Sequence, residues 1–242
     1  MARTISRKPI AFRQSAGYNL ADMETVKVAT LERMVGGLSY PSKMPGLAYG
    51  LPARNCILGK ILRAKPGSVC SVCYAFKGNY VFPCVVNAQA RRLKILLADM
   101  HAWKRAMISL LDRKLSRKSR ADRVFRWHDS GDLQSLEHLS AIAEIAKLLP
   151  RIRFWLPTRE REMVKEFLSA HPEGFPKNLT VRISVAMIGQ RFAPGLAVKG
   201  TVASTVGANA GHACPAPNQG NACQDCRACW SRSVRVVDYR AH

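Results

Sequence analysis

The chain has 242 residues, of which 48% are apolar, and it carries a formal net charge of +22. This apolar fraction excludes wholesale disorder, and no apolar run reaches the roughly 18 residues that a membrane-spanning helix needs. We therefore expect a soluble protein without a membrane segment, whose length suits one large α/β domain.

The positive charge is concentrated in the first half of the chain. Residues 1–120 contain 22 Lys and Arg against 5 Asp and Glu, whereas residues 121–242 contain 16 against 11. We interpret residues 1–45 as a basic N-terminal arm. Because the N-terminus has no apolar h-region, we expect a cytoplasmic protein with reduced thiols.

Four cysteines, Cys56, Cys70, Cys73 and Cys84, follow this arm. The C-x2-C spacing of Cys70 and Cys73 presents two thiolates on a turning backbone, which suits an iron-sulfur cluster or zinc. Cys84 lies among apolar residues, and a buried free thiol is its simplest interpretation.

The most basic run of the chain, residues 104–123, continues a long helical stretch that is predicted over residues 86–114. Such a run attracts phosphate backbones through counterion release, so nucleic acid is the expected partner, either DNA or RNA. Aromatic residues are sparse here, which favours contact with phosphates over base stacking. The alternative is a solvated basic face that only aids solubility.

Apolar strands alternate with amphipathic helices through the second half of the chain, which predicts an α/β fold with a mainly parallel sheet. Three of the strands begin 28 and 29 residues apart, the length of one β-α unit. The core is therefore predicted over residues 46–206. The predicted strands cover residues 124–128, 152–156, 181–185 and 200–206, and the predicted helices residues 133–149 and 160–170.

One face of these strands is polar. Alternation places Arg126 with His128, Arg153 with Trp155, and Arg182 with Ser184 on the same side of the sheet. Three arginines on the wall of a barrel or cleft would suit an anionic ligand, so Arg126, Arg153, Arg182 and Ser184 are candidate cofactor-binding residues. The alternative for each arginine is a buried ion pair with a nearby carboxylate.

The segment from His128 to Asp132 ends the first of these strands. Ligands of open α/β sheets bind at this edge, so we take His128 and Asp129 as candidate acid-base groups. Asp132 is predicted instead to cap the helix that begins at Leu133. The turn from Thr158 to Glu160 occupies the corresponding place after the next strand and joins the candidate site.

The second group of cysteines lies in a C-terminal extension, residues 207–242. Its C-x8-C-x2-C-x2-C pattern, with prolines and a glycine in the first gap, is typical of a ligand-bearing loop. A buried free thiol is an improbable interpretation for any member of this group. The predicted metal ligands are Cys56, Cys70 and Cys73 in the first group and Cys214, Cys223, Cys226 and Cys229 in the second.

Several motifs in this order resemble the bacteriophage gene product 88 family: GLAYGLPARNC, GSVCSVCYAFKGNY, FRWHDSGDLQSLEHL, FWLPTRE and CPAPNQGNACQDCRACW. More distantly, Cys70 to Ala75 is similar to the cluster-binding segment of radical S-adenosylmethionine proteins, which implies a partial (β/α) barrel and a 4Fe-4S cluster. That family usually reads C-x3-C-x2-C, whereas Pro66 occupies the place of the first cysteine here, leaving Cys56 as the nearest upstream thiol.

The resemblance also implies a role for each cysteine group and for the polar face of the strands. Three protein thiolates would leave one iron open for S-adenosylmethionine, whereas Cys84 as a fourth ligand would close the site. The arginine-bearing face and His128 would line the cofactor and substrate cleft. The C-terminal cysteines would hold an auxiliary cluster.

Two function classes follow from these observations. The first is an iron-sulfur enzyme of the radical S-adenosylmethionine type that acts on nucleic acid or a nucleotide, in the cytoplasm of the bacterial host. The second is a basic module, stabilised by zinc or iron-sulfur, that binds nucleic acid without catalysis. Zinc is the alternative because C-x2-C pairs also form zinc sites, for example by joining Cys70 and Cys73 to Cys226 and Cys229.

Overall fold

A seven-stranded parallel sheet organises residues 21–241, the part of the chain that the computed structural model describes. The strand order is β1-β2-β3-β4-β5-β7-β6, and every neighbouring pair is parallel. The predicted α/β class and parallel sheet are confirmed, and the sheet is open, with β1 and β6 at its edges. The strands are β1 Leu47–Tyr49, β2 Val124–Trp127, β3 Arg153–Thr158, β4 Leu179–Ser184, β5 Val202–Val206, β6 His212–Ala213 and β7 Val236–Tyr239.

Seven α-helices accompany these strands within residues 21–241, and none of them is long and apolar enough to cross a membrane. The long helical stretch predicted over residues 86–114 is divided at Asp99, whose extended backbone ends one helix and whose carboxylate accepts a hydrogen bond from the Ala102 amide, 2.9 Å away, at the start of the next. The helices are α1 Ala21–Glu24, α2 Val28–Val35, α3 Ile57–Arg63, α4 Pro83–Ala98, α5 Met100–Leu115, α6 Leu136–Leu148 and α7 Arg161–Ala170.

Part of the predicted N-terminal arm belongs to the core. Helix α2 packs against α5, and its Leu31 and Val35 are fully buried. Strand β1, which the sequence analysis did not identify, then pairs with β2 at the edge of the sheet. Residues 1–20 of the predicted arm lie outside the described residues.

The apolar face of the sheet is buried, as its alternation pattern predicts. Phe125, Trp127 and Phe154 have no exposed surface, and their rings contact one another with centroids 4.8 to 6.2 Å apart. Trp103 of α5 packs on Trp127 and donates a hydrogen bond of 3.0 Å to the Tyr49 hydroxyl. This aromatic cluster positions β1, β2 and β3, and the carboxyl ends of β2 and β3 belong to the site described below.

The C-terminal extension covers part of the opposite face. It adds β7 beside β5, and Trp230 packs against Trp155 while donating a 2.9 Å hydrogen bond to the Phe125 carbonyl. Arg182 of β4 has no exposed surface, and its guanidinium donates to five backbone carbonyls, four of them in the extension. The extension is therefore held to the sheet by a buried cation.

Substituting Arg182 tests this attachment. We expect Arg182→Met to lower the free energy of unfolding by about 3–5 kcal/mol, because five buried carbonyls lose a charged donor. Arg232→Met is the matched control, since Arg232 donates one hydrogen bond within residues 21–241, to the Gly200 carbonyl, and we expect it to cost about 1 kcal/mol or less. Urea denaturation of the proteins as isolated measures both; equal losses would contradict the assigned role of Arg182.

Candidate functional site

A cavity of about 560 Å³ opens at the carboxyl ends of the strands. It is lined by residues at or just after the ends of β2, β3, β4, β5 and β7, and on another side by the first cysteine group. This is the edge where open parallel sheets bind ligands. The cavity is large enough for a small-molecule cofactor.

Three thiols of the first cysteine group line the cavity: Cys56, Cys70 and Cys73. Cys56 immediately precedes α3. Cys70 lies in a 3-10 turn, residues 69–72, and Cys73 is the C-cap of that turn. Gly59 lies between two of them, because a Cβ placed there would be 3.5 Å from the Cys56 sulfur and 3.7 Å from the Cys70 sulfur. Because Gly59 has no side chain, the space next to the Cys56 and Cys70 sulfur atoms stays open.

Burial raises the pKa of Cys56 to about 12, and the nearby Asp132, Cys73 and Cys70 act in the same direction. Burial also raises the pKa of Cys70, against the opposing charge of Arg159. Within residues 21–241, no three His, Cys, Asp or Glu side chains are drawn together closely enough to hold a metal ion. Thiolate is the form of cysteine that binds metal, so a metal group bound here would have to offset the burial that disfavours the thiolates.

Cys84 does not join this wall. It lies in the first turn of α4 and is exposed. The interpretation of Cys84 as a buried free thiol is therefore wrong, because its apolar neighbours Val81, Phe82 and Val86 are themselves exposed.

Arg126 reaches the cavity from β2. Its guanidinium stacks 4.4 Å above the Trp155 ring and donates a 3.0 Å hydrogen bond to the Tyr74 hydroxyl, which in turn donates to the Asp129 carbonyl. Burial disfavours its charge, but Tyr74, Asp129, Tyr239 and Tyr80 together act against burial, and the pKa of Arg126 is raised. Its Nε has no hydrogen-bond partner among residues 21–241. Arg126 is therefore a fixed cation at the cavity wall.

His128 also lines the cavity and is 2% exposed. Its backbone φ is 56°, in the left-handed region that non-glycine residues rarely adopt. Neither ring nitrogen has a hydrogen-bond partner in the described part of the chain, and the ring packs against His138 with centroids 5.3 Å apart. Burial, followed by the neighbouring His138 and Arg126, holds the pKa of His128 well below its usual value. The imidazole is therefore neutral near pH 7.

Asp129 and Asp132 have different surroundings. The Asp129 carboxylate lies against Gly50, where a Cβ would be 2.3 Å from its Oδ1, and the residue is not part of the cavity wall. Burial raises the pKa of Asp129, against the opposing charges of Arg126 and Arg92. The Asp129 backbone carbonyl accepts hydrogen bonds from the hydroxyls of Tyr74 and Tyr80, at 2.5 and 3.3 Å.

Asp132 joins two loops of the cavity. Its carboxylate accepts hydrogen bonds from the Thr158 hydroxyl at 2.6 Å and from the Arg159 amide at 2.9 Å. The prediction that it caps the next helix is wrong, because α6 begins at Leu136 and its cap is Ser135. Asp132, Thr158 and Arg159 all line the cavity. Glu160 accepts a hydrogen bond from the Leu58 amide, close to Cys56 in the chain.

The three arginines of the polar face do not converge. The structure brings Arg126 and Ser184 to the cavity, whereas Arg182 is occupied by backbone carbonyls and Arg153 lies at the opposite, amino-terminal end of β3. Ser204, which the sequence analysis did not single out, lies opposite Ser184 with the two hydroxyl oxygens 3.0 Å apart. Ser204 lies in the fourth predicted strand, two residues before that strand ends, and this position could have identified it as a candidate site residue.

The second cysteine group is gathered near β6 and β7. Burial raises the pKa of Cys223, with further contributions from Cys214 and Cys226, and burial raises the pKa of Cys229 to about 11. Two neighbours of this group were not predicted from the sequence. His212 places its Nε2 3.9 Å from the Cys226 sulfur, and Tyr239 places its hydroxyl 3.2 Å from the Cys229 sulfur.

These thiols and the nearby imidazole have the chemistry of a zinc or iron-sulfur donor set. His212, two residues before Cys214, could have been identified from the sequence as a further donor.

Comparison with known proteins assigns the family. The family model described as Gene product 88 matches residues 23–232. The chain belongs to the phage Gene product 88 family. The match includes both cysteine groups and every strand before β7. No curated protein and no solved structure matches the chain.

The buried histidine pair predicts how stability depends on pH. Burial lowers the pKa of His138 to about 3, whereas an unfolded chain binds the proton near pH 6.5, so stability contributed by the neutral ring is lost as the pH falls below about 6.5. We expect His138→Gln to lose about 2 kcal/mol less than the wild type between about pH 7.5 and pH 5.

Urea denaturation at both pH values measures this difference. The buried carboxylates are present in both proteins and cancel in the comparison, and burial, the largest cause, still lowers the pKa of His128 when His138 is replaced. An equal decline in the two proteins would mean that His138 is protonated in the folded state.

Proposed function

We propose that this protein is an iron-sulfur enzyme of the radical S-adenosylmethionine type that acts on nucleic acid or a nucleotide. The observation that carries the proposal is the shared cavity: Cys56, Cys70 and Cys73 line it together with the ends of five parallel strands. Ligands of α/β sheets bind at this edge, and three thiolates with an open cavity beside them suit a cluster that also binds a small molecule.

Cys56, Cys70 and Cys73 would hold the cluster on one wall. Their three thiolates would leave one iron without a protein ligand, and exposed Cys84 is placed away from the cavity lining. A 4Fe-4S cluster bound there would supply the electron for reductive cleavage of S-adenosylmethionine. Glu160 supports the arrangement, because its hydrogen bond to the Leu58 amide holds the beginning of α3, which follows Cys56.

The strands supply groups that would bind and orient a ligand. The Nε of Arg126, without a partner among the described residues, would donate to a carboxylate such as that of S-adenosylmethionine. Stacking on Trp155 and the hydrogen bond to Tyr74 hold the guanidinium in place before a ligand enters. The paired hydroxyls of Ser184 and Ser204 would hydrogen-bond ribose hydroxyls.

His128 is the group proposed to act on the substrate. Its imidazole is buried, neutral and without a hydrogen-bond partner in residues 21–241, so its unprotonated nitrogen can accept a hydrogen bond from a substrate and its N–H can donate one. Strained backbone at such a residue is typical of functional sites. Asp129 would act as a positioning residue, because its carbonyl accepts the hydrogen bonds from Tyr74 and Tyr80.

The second candidate function is a basic module that binds nucleic acid without catalysis and is stabilised by zinc or iron-sulfur. The observation that favours it is the C-terminal cysteine group, which lies in the segment that Arg182 attaches to the sheet. A metal group there would be structural, since it would stabilise the cover of one sheet face. In the enzyme, the same cysteines would hold an auxiliary cluster.

Metal analysis of protein purified without oxygen tests the proposal. We expect a brown protein with iron and sulfide at about four each per cluster, and 5′-deoxyadenosine and methionine after incubation with S-adenosylmethionine and dithionite. Cys56→Ala, Cys70→Ala and Cys73→Ala should each abolish this cleavage and remove one cluster's iron. Cys84→Ala, the matched control, should retain both.

Other outcomes separate the two candidates. A colourless protein with stoichiometric zinc would overturn the radical mechanism and support the binding module. Iron retained in full by the three alanine variants would place the cluster at the C-terminal cysteines and would equally contradict a catalytic role for the first group.

A further inference from the structure

A second cleft lies at the amino-terminal ends of β2 and β3, whereas the cavity lies at the carboxyl ends of the strands. It has a volume of about 240 Å³ and is lined by Arg120, Arg123, Arg151 and Arg153 together with Pro150. Arg123 immediately precedes β2, and Arg153 is the first residue of β3. Because the strands are parallel, this arginine cleft lies at their amino-terminal ends, far from the carboxyl ends that form the cavity.

The positive charge of the cleft is not neutralised within residues 21–241. None of its lining residues is acidic, and the Nε atoms of Arg123 and Arg153 are buried without hydrogen-bond partners in that part of the chain. Asp122, on the same loop, forms an ion pair with Arg227 at 3.8 Å and accepts a hydrogen bond from Ser119. Burial, Arg227 and Arg120 all lower the pKa of Arg153, so an anion would relieve their repulsion.

Three basic residues in the helical part of the run already have partners within the protein. Lys104 and Lys114 form ion pairs with carboxylates of α6 and α2, and Arg113 donates to backbone carbonyls of the α1 region. The predicted nucleic-acid contact over residues 104–123 is therefore narrowed to the loop that follows α5. Arg120 and Arg123 of this loop are the members of the run that line the cleft.

We propose that the arginine cleft binds the phosphodiester backbone of nucleic acid. Guanidinium groups donate paired hydrogen bonds to phosphate oxygens, and four of them line a concave surface here. The lining contains no aromatic ring on which a base could stack, so recognition is of backbone rather than sequence. The inference goes beyond the proposed enzyme, because it requires no cluster in the cavity.

The C-terminal cysteine group supports this cleft. Arg227, which follows Cys226, donates from its Nε to the Ala121 carbonyl at 3.1 Å and pairs with Asp122. The loop that carries Arg120 is thus held by the cysteine-rich segment. A metal bound by that segment would therefore stabilise one side of the phosphate site.

Fluorescence anisotropy with a labelled single-stranded DNA and an RNA of the same sequence tests the proposal. Arg120 and Arg151 are exposed, so the double variant R120Q/R151Q should fold normally. We expect it to weaken binding about tenfold or more and to reduce the slope of log K against log salt by about 1.4, the value for two lost contacts to a single strand.

The matched control is K94Q/R191Q, which removes the same charge from two exposed positions outside the cleft. We expect its affinity to stay within about twofold of the wild type. Equal losses in both double variants would show a general charge effect, and unchanged binding in R120Q/R151Q would exclude the cleft; either result overturns the proposal. Iron content and cleavage of S-adenosylmethionine should be unchanged in R120Q/R151Q, so failure of this site and failure of the proposed enzyme are distinguishable.

Discussion

The buried guanidinium of Arg182 is the constraint on which the arrangement of the molecule depends. A cation without exposed surface is stable only when its donors are satisfied, and here five backbone carbonyls satisfy them. Four of those carbonyls belong to the C-terminal extension. The cation therefore fixes the extension across the sheet, and with it β7, the second cysteine group and Arg227.

The carboxyl edge is held by a second set of long-range polar contacts. Asp132 joins the loop after β2 to the loop after β3, and Glu160 joins the latter to the start of α3 beside Cys56. Buried carboxylates with several donors rigidify their surroundings. The cysteine wall and the wall containing Arg126 and His128 thus belong to one connected frame, in which a ligand would meet both at once.

Much of the fold was predictable because local patterns carry it. The spacing and alternation of the strands that begin near Val124, Arg153 and Leu179 followed from apolar periodicity, and the face with Phe125 and Trp127 was predicted as the buried one. Strand β1 was not predicted, since three residues show too little alternation to distinguish a strand from a loop. Ser135, rather than Asp132, caps α6 because the helix begins at Leu136, and the Asp132 carboxylate accepts a hydrogen bond from Thr158 on the neighbouring loop.

The sequence by itself determined the α/β class, the parallel sheet, the thiols available to bind metal and the excess of basic residues, because each depends on composition or on short-range spacing. Only the tertiary structure decided which groups share a site. Alternation placed three arginines on one face, yet Arg126 faces the cavity, Arg182 binds the extension and Arg153 joins the arginine cleft. The reason is physical: the environment of each guanidinium is set by residues distant in sequence and by its position along the strand.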